Sequence, residues 1–390
     1  MINYDEVLNE NVRNIPPSGI RKFFDLAQNM DDVISLGVGE PDFNTPWGVR
    51  EAGIYSLEKG RTFYSQNAGL LELREEICRY FNRKYGVAYK PNGETLVTVG
   101  GSEAIDLVIR CLVKEGDEVL IPEPCFVCYG PCTELQGGIP VPIETKEEDN
   151  FRLLPEQLKE KITPKSKLLI LPYPNNPTGG IMSEKDLKAI ADCLAGTDIM
   201  VLSDEIYAEL NYSKEGHKTS SSIEGMKERT VVVNGFSKAF AMTGWRLGYA
   251  LGPAPIIKAM TKVHQYGIMS APTTSQFAAI EAMKNCDDEV EKMVQEYNRR
   301  RRFIVDGFRE MGINCFEPLG AFYVFPSIKA TGLTSDEFCS RLLEEEHVAV
   351  IPGTAFGKCG EGFIRCSYAY SVESIEAALE RIRRFLKKYI

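Results

Sequence analysis

The sequence predicts an α/β domain built on a largely parallel sheet, joined to a smaller α+β domain. Three observations carry that expectation. Short β-branched and aliphatic runs alternate with amphipathic helical stretches through the middle of the chain, the pattern of parallel strands connected by helices. The alternation stops in the last third, where a long helical stretch, two strand-like stretches and a closing helix follow one another. At 390 residues the chain also exceeds one ordinary core, and the size prior gives about two or three domains.

The strand-like runs of the middle region cover residues 96–99, 119–121, 168–171, 199–202 and 231–233. Between the first two, Ala104, Leu107, Val108, Cys111 and Leu112 trace one face of a helix that Gly116 is placed to end. Between the third and fourth, SEKDLKAIADCL opens on a Ser183 cap and repeats Leu187, Ile190 and Leu194 at helical spacing. In the last third, Val290, Met293, Val294, Tyr297, Ile304, Val305 and Phe308 mark a long helix, and the four arginines at 299–302 read as its solvated face. GAFYVFPS and GFIRCSYA are strand-like, and Ile375, Leu379, Ile382 and Leu386 mark the buried side of the closing helix. Boundaries near Thr45 and Asn285 give a large domain at 46–285 and a small one made of 1–45 and 286–390.

Apolar residues make up 44% and charged residues 26%, a globular profile. No apolar run approaches the roughly 20 residues of a membrane helix. The start, MINYDEVLNENVRN, lacks the basic and apolar stretches of a secretory signal, so the cytoplasm is the expected compartment. A formal net charge of −10 argues against nucleic acid or an anionic membrane as partner. Eleven cysteines without a secretion signal are expected to be reduced thiols. Cys125, Cys128 and Cys132 cluster, yet no second pair accompanies them and none of the three histidines is spaced as a ligand pair, so no metal is expected.

Ligands of open α/β sheets gather at the carboxyl ends of strands, and each strand end here is followed by a chemically useful group. In LVTVGGSEAIDLVI, Gly100, Gly101 and Ser102 precede a helix opened by Glu103 and Ala104; free N–H groups at such a start attract phosphate, although a plain serine cap fits these residues equally well. In LLILPYPNNPTGG, Asn176 offers an amide, within residues that would form a turn regardless. In IMVLSDEIYAEL, Asp204 follows four apolar residues and would be costly to bury unpaired, with Tyr207 three residues on; a surface loop of acids is the alternative. In VVVNGFSKAFAMTGWRLGY, Lys238 lies among Phe236, Ala239, Phe240, Ala241 and Met242, eight residues before Arg246. It is either a snorkelling lysine or an amine of lowered pKa that can condense with a carbonyl. Phe126, in PEPCFVCY, is either a core aromatic or a stacking partner. As a set these groups match a pyridoxal phosphate site: an amine for the aldehyde, an acid for the ring nitrogen, an amide and a phenol for the ring oxygen, and hydroxyl, guanidinium and N–H donors for the phosphate.

With ISLGVGEPDFNTP, NNPTGG, SDEIY, SKAFAMTGWRLGY and GFIRCSYA in this order, the chain resembles the class I and II aminotransferases of the aspartate aminotransferase fold type over nearly its full length. The resemblance implies the fold type I architecture of PLP-dependent transferases, with a mostly parallel seven-stranded sheet flanked by helices, pyridoxal 5'-phosphate as cofactor, amino acids and 2-oxo acids as reactants, and a homodimer. It implies that Lys238 is the Schiff-base lysine and the base that moves the substrate proton, that Asp204, Tyr207, Asn176, Ser102, Arg246 and Phe126 take the roles above, and that Gly101, Glu103 and Ser237 join the cofactor site. It further implies that Arg365 binds the substrate α-carboxylate, that Gly39 approaches it with backbone, and that Tyr64 reaches the phosphate of the neighbouring subunit. Arg365 has a physical case of its own, because a carboxylate shared by every substrate is best gripped by a planar fork; a domain-internal ion pair is the alternative.

Two departures stand out. Gly235 occupies the place where relatives use a serine three residues before the lysine, with Ser237 as the substitute, and Ser102 stands where aspartate-specific relatives often carry a lysine. NIPPSGIRKFF puts Ile15 and Ile20 in the family's lid region, which favours an apolar or aromatic substrate side chain. The expected activity is a ping-pong transfer from an L-amino acid, aromatic first and alanine or aspartate next, to a 2-oxo acid such as 2-oxoglutarate. Rival readings are a β-eliminating lyase on the same scaffold, a PLP-binding regulator and a nucleotide-binding α/β protein.

Overall fold

The structure, a computed structural model, describes residues 2–17, 19–20 and 30–390. A short strand β1 (Ile34–Ser35) leads into the main sheet, which holds β2 (Thr95–Thr98), β3 (Glu118–Glu123), β4 (Ile139–Glu144), β5 (Ser166–Leu171), β6 (Met200–Asp204), β7 (Thr230–Gly235) and β8 (Gly248–Leu251) in the order β2-β8-β7-β6-β5-β3-β4. Strand β8 runs antiparallel to both its neighbours and the remaining pairs are parallel. This is the mainly parallel, seven-stranded sheet expected. Each of the five expected runs is a strand within it. The other two, β4 and β8, were not expected. Strand β4 carries two prolines and is tolerated because it lies on the sheet edge, and β8 is four residues beginning with glycine.

Central strands alternate faces, and both faces are covered, so their sequences are continuously apolar. Leu168 and Ile170 join Ala104, Leu107 and Val108 of the Gly100–Leu112 helix on one side, while Leu169 and Leu171 join Leu187, Ile190 and Leu194 of the Glu184–Leu194 helix on the other. The latter helix starts as the sequence predicts: Ser183 Oγ accepts from the Asp186 N–H at 3.2 Å and Asp186 Oδ2 accepts from the Ser183 N–H at 2.9 Å. The former ends at Leu112 with Val113 as its cap, so Gly116 serves the following turn rather than the helix end.

In the last third, β9 (Tyr323–Val324), β11 (Ile351–Pro352) and β12 (Ile364–Ser367) form an antiparallel sheet in the order β11-β12-β9, and β10 (Val348–Ala349) pairs in parallel with β1. The closing helix, Val372–Leu386, buries Ile375, Leu379, Ile382 and Leu386 as expected. The long helix, Asp287–Glu310, corrects one expectation: Arg299 and Arg302 are exposed, but Arg300 and Arg301 are buried. Arg300 pairs with Asp42 at 2.7 Å and Glu296 at 2.8 Å, and Arg301 pairs with Glu317 at 2.9 Å. The helical period turns the middle of the run inward, where it meets Glu296 of the same helix and, from elsewhere in the chain, Asp42 and Glu317. The largest apolar cluster runs from Val97 and Val232 of the main sheet through Tyr297 and Phe322 to Phe385 of the closing helix. No helix among the described residues is long and apolar enough to cross a membrane.

Candidate active site

The carboxyl ends of β2, β5, β6 and β7 open onto one cavity of about 390 Å³. Its lining includes Gly101 and Ser102 after β2, Phe126 after β3, Asn176 after β5, Asp204 and Tyr207 at the end of β6, Ser237 and Lys238 after β7, and Arg246 before β8, with Gly39 and Arg365 on the opposite wall. All the expected site residues therefore converge except Glu103 and Tyr64. The Glu103 carboxylate turns away, accepting from the Val99 N–H and lying 2.6 Å from His264 Nδ1. Tyr64 is 81% exposed and lies outside this cavity. Ile20 of the expected lid also lines it, and Ile15 is half-buried; Ser18 and residues 21–24 of that segment lie outside the described residues.

Lys238 does not snorkel. Its Nζ donates to the Gly39 carbonyl at 2.5 Å and lies 5.6 Å from the Phe322 ring centre and 5.8 Å from that of Tyr207. Burial brings its pKa down to about 8, with Arg365 and Arg246 acting in the same direction and Glu40 and Asp204 opposing. Asp204 is buried at the end of β6. Loss of hydration pushes its carboxyl up to about 6, although Tyr129 donates to Oδ2 at 2.7 Å, the Ile206 N–H donates to Oδ1 at 3.2 Å, and Lys238 adds positive charge. An amine and an acid thus share one cavity with their protonation ranges drawn toward neutrality.

Arg365 is fully buried in β12, and no carboxylate pairs with it among the described residues. Its Nη1 donates to Asn176 Oδ1 at 2.9 Å, its Nη2 donates to the Gly37 carbonyl, and its guanidinium stacks 4.5 Å from the Tyr323 ring centre. Its Nε, also buried, finds no partner among the described residues. A cation held by neutral acceptors with one donor idle has attraction to spare for an incoming anion. Tyr207 and Tyr323 share a hydroxyl contact of 2.9 Å.

The first turn of the helix that begins at Gly100 lines the cavity with Gly101 and Ser102, as does Ser237, and the N–H groups of a helix start favour an anion. Arg246, in left-handed backbone at φ 53°, lays its guanidinium over Gly100, where a Cβ would come within 2.9 Å of Nη2. Gly235 and Gly248 are cross-strand partners. A Cβ on Gly248 would come within 2.6 Å of the Gly100–Gly101 backbone, and one on Gly235 within 3.0 Å of the Gly248 Cα. A side chain at 235 would be tight against that backbone and Ile206, and the hydroxyl that lines the cavity beside Lys238 is that of Ser237.

Sequence reasoning missed Tyr129, Tyr323, Glu40 and Thr243, all of which line the cavity. Tyr129 stands beside the cysteines of PCFVCYGPC, one turn beyond a strand end, and that position was its only signal. Tyr323, 116 residues from the tyrosine it bonds, had none.

Residues 31–382 match the family described as aminotransferase class I and II. The chain belongs to that family. This aminotransferase is 52% identical over 381 residues to the YugH protein of Bacillus subtilis, covering 98% of each chain. It is 46% identical over 379 residues to an aspartate aminotransferase of Pyrococcus abyssi, covering 96% of this chain and 97% of the other. It is also similar to the crystal structure of an aromatic aminotransferase from Pyrococcus horikoshii, with a TM-score of 0.90 and 45% identity over 95% of this chain and 99% of that one. The architecture and the family agree: the enzyme is a transaminase, moving amino groups between amino acids and 2-oxo acids.

Proposed function

We propose that this aminotransferase uses pyridoxal 5'-phosphate to move an amino group from an L-amino acid, aromatic donors first and alanine or aspartate next, to a 2-oxo acid such as 2-oxoglutarate by a ping-pong cycle. The observation that carries the reading is the shared cavity of Lys238 and Arg365, a lysine of lowered pKa and a buried guanidinium with an idle Nε.

The residues present fit the cofactor. Ser102, Ser237, Arg246 and the N–H groups of the Gly100 helix start would hold its phosphate, Asp204 its ring nitrogen, Asn176 and Tyr207 its ring oxygen, and Phe126 a ring face. When bound, it supplies an aldehyde that takes up the amino group and a protonated ring that draws electrons from the substrate Cα. The chain supplies the rest. Arg365 grips the α-carboxylate as a fork and so orients the substrate. Lys238, with its pKa near 8, has a neutral fraction near neutral pH and moves the proton at Cα. Asp204, with a carboxyl near 6, is mostly ionised at pH 7 and would become more so beside a protonated ring nitrogen. Tyr129 holds that carboxylate in place. Ile20 and Val38 line the cavity, which supports an apolar donor; among the described residues the lining cations are Lys238, Arg246 and Arg365, each already given a role.

The reading includes a division into residues 46–285 and residues 1–45 with 286–390, and a homodimer in which Tyr64 serves the neighbouring phosphate. The exposure of Tyr64 supports it. Lys238→Ala tests the mechanism: turnover and the imine absorbance of the cofactor-loaded protein are both expected to vanish. A variant that kept full activity would sink the proposal. A screen of amino donors against 2-oxoglutarate tests the substrate order, which is wrong if aromatic donors rank behind alanine and aspartate.

A further inference from the structure

The Glu103 side chain is the one expected site group on this chain that faces away from the cavity, and what it faces is specific. Its two oxygens do different things. Oε2 accepts from the N–H of Val99, the residue that caps the Gly100–Leu112 helix, and Oε1 lies 2.6 Å from Nδ1 of His264 on the Ala254–Gly267 helix. A carboxylate only accepts, so Nδ1 carries the hydrogen. The imidazole is completely buried and its Nε2 has no hydrogen-bond partner among the described residues. An apolar ring would occupy the same space without that penalty, so the contact to Glu103 is the feature only the imidazole supplies.

We propose that Glu103 and His264 are positioning residues that fix the Gly100–Gly101–Ser102 turn for an anionic phosphate group. The inference rests on the reading that pyridoxal 5'-phosphate occupies the cavity. His264 also anchors the end of its own helix, since its carbonyl accepts from the Ile268 and Met269 N–H groups, and the Met269 carbonyl accepts from Asn67. The strut therefore ties the phosphate turn to the segment that carries Tyr64. Neither side chain lines the cavity; both act through the backbone they hold.

Titration of the full-length protein with pyridoxal 5'-phosphate and, separately, with pyridoxal, which lacks the phosphate, tests this by absorbance, with melting temperature recorded alongside. His264→Phe fills the space without the Nδ1 contact and is expected to weaken binding of the phosphorylated ligand about tenfold, with pyridoxal binding unchanged. Glu103→Gln, which keeps an acceptor for the Val99 N–H and guards against a variant that fails to fold, is expected to lose less than His264→Phe. Equal losses for both ligands would mark a general structural role and overturn the inference, as would wild-type affinity for pyridoxal 5'-phosphate in both variants. A wild-type protein that binds neither ligand overturns the functional reading itself, and the inference with it.

Discussion

At Asp204 stability and chemistry pull in opposite directions. A carboxyl whose pKa rises on folding from 3.8 to about 6 costs nothing below the lower value, and its penalty grows as pH climbs through the higher one. Two units correspond to about 3 kcal/mol at pH 7. Cofactor-free Asp204→Asn should therefore unfold later than wild type at pH 7, with the gap narrowing by about half at pH 5, while losing activity; denaturant unfolding at the two values checks both signs. Lys238 has the mirror-image linkage, with a penalty present below about 8 and relieved toward 10.5. Trace acetylation of the cofactor-free protein should label Lys238 with a midpoint near pH 8, well before exposed lysines of pKa about 10.4. At Arg365, lysine keeps the charge and loses the fork, so KM for donor and acceptor should rise about 10- to 100-fold with cofactor absorbance unchanged; an unchanged KM would remove Arg365 from the substrate site. Arg365 came through family resemblance, whereas Lys238 was legible because a lone ionisable side chain in an apolar run needs an explanation, and Asp204 because it follows an apolar strand. Tyr129 and Tyr323 were not, since an aromatic in such a run needs none until its hydroxyl partner, 75 or 116 residues away, is known.

Among elements, the Asp287–Glu310 helix shows how a buried charge supports a site it does not enter. Arg300 holds Asp42, two residues beyond Glu40 on the segment whose Gly39 carbonyl accepts from Lys238. Removing Arg300 leaves Asp42 without its cation, while Glu296 keeps Arg299. Arg300→Ala is expected to destabilise by roughly 3 kcal/mol and Arg302→Ala by no more than about 0.5 kcal/mol, read from denaturant midpoints at a common slope. Equal effects would mean that the helix presents the run to solvent after all. The helix itself was readable from its apolar period, but the depth of its arginines was not. Period fixes which residues share a face, and only the packed chain shows which carboxylates meet them. Strand β4 escaped for a related reason: prolines tolerated on an edge resemble those of a loop.

The largest of three apolar clusters joins the main sheet to the last third of the chain, and the cavity is lined by residues of the sheet's strand ends and of β12. Phe63, Tyr64 and Tyr266 are 80%, 81% and 85% exposed, and single chains in water seldom present so much large aromatic surface in neighbouring segments. Sedimentation should give twice the 43.6 kDa chain mass. If Tyr64 serves the neighbouring phosphate, Tyr64→Ala should loosen the cofactor, and mixing it with Lys238→Ala should regain one wild-type site per hybrid. A mixture no better than the sum of its parts would place Tyr64 elsewhere. The alternation of strands and helices made the main sheet legible; the proposed reach of the Tyr64 segment to a second chain came only through family resemblance, because no period or spacing encodes a contact between copies. The account as a whole depends on the amine of Lys238 being the point of covalent attachment, and borohydride reduction of the protein with pyridoxal 5'-phosphate, followed by peptide mapping, tests that most directly. The cofactor-derived mass should appear on the peptide containing Lys238; its appearance on another peptide, or on none, would contradict the account.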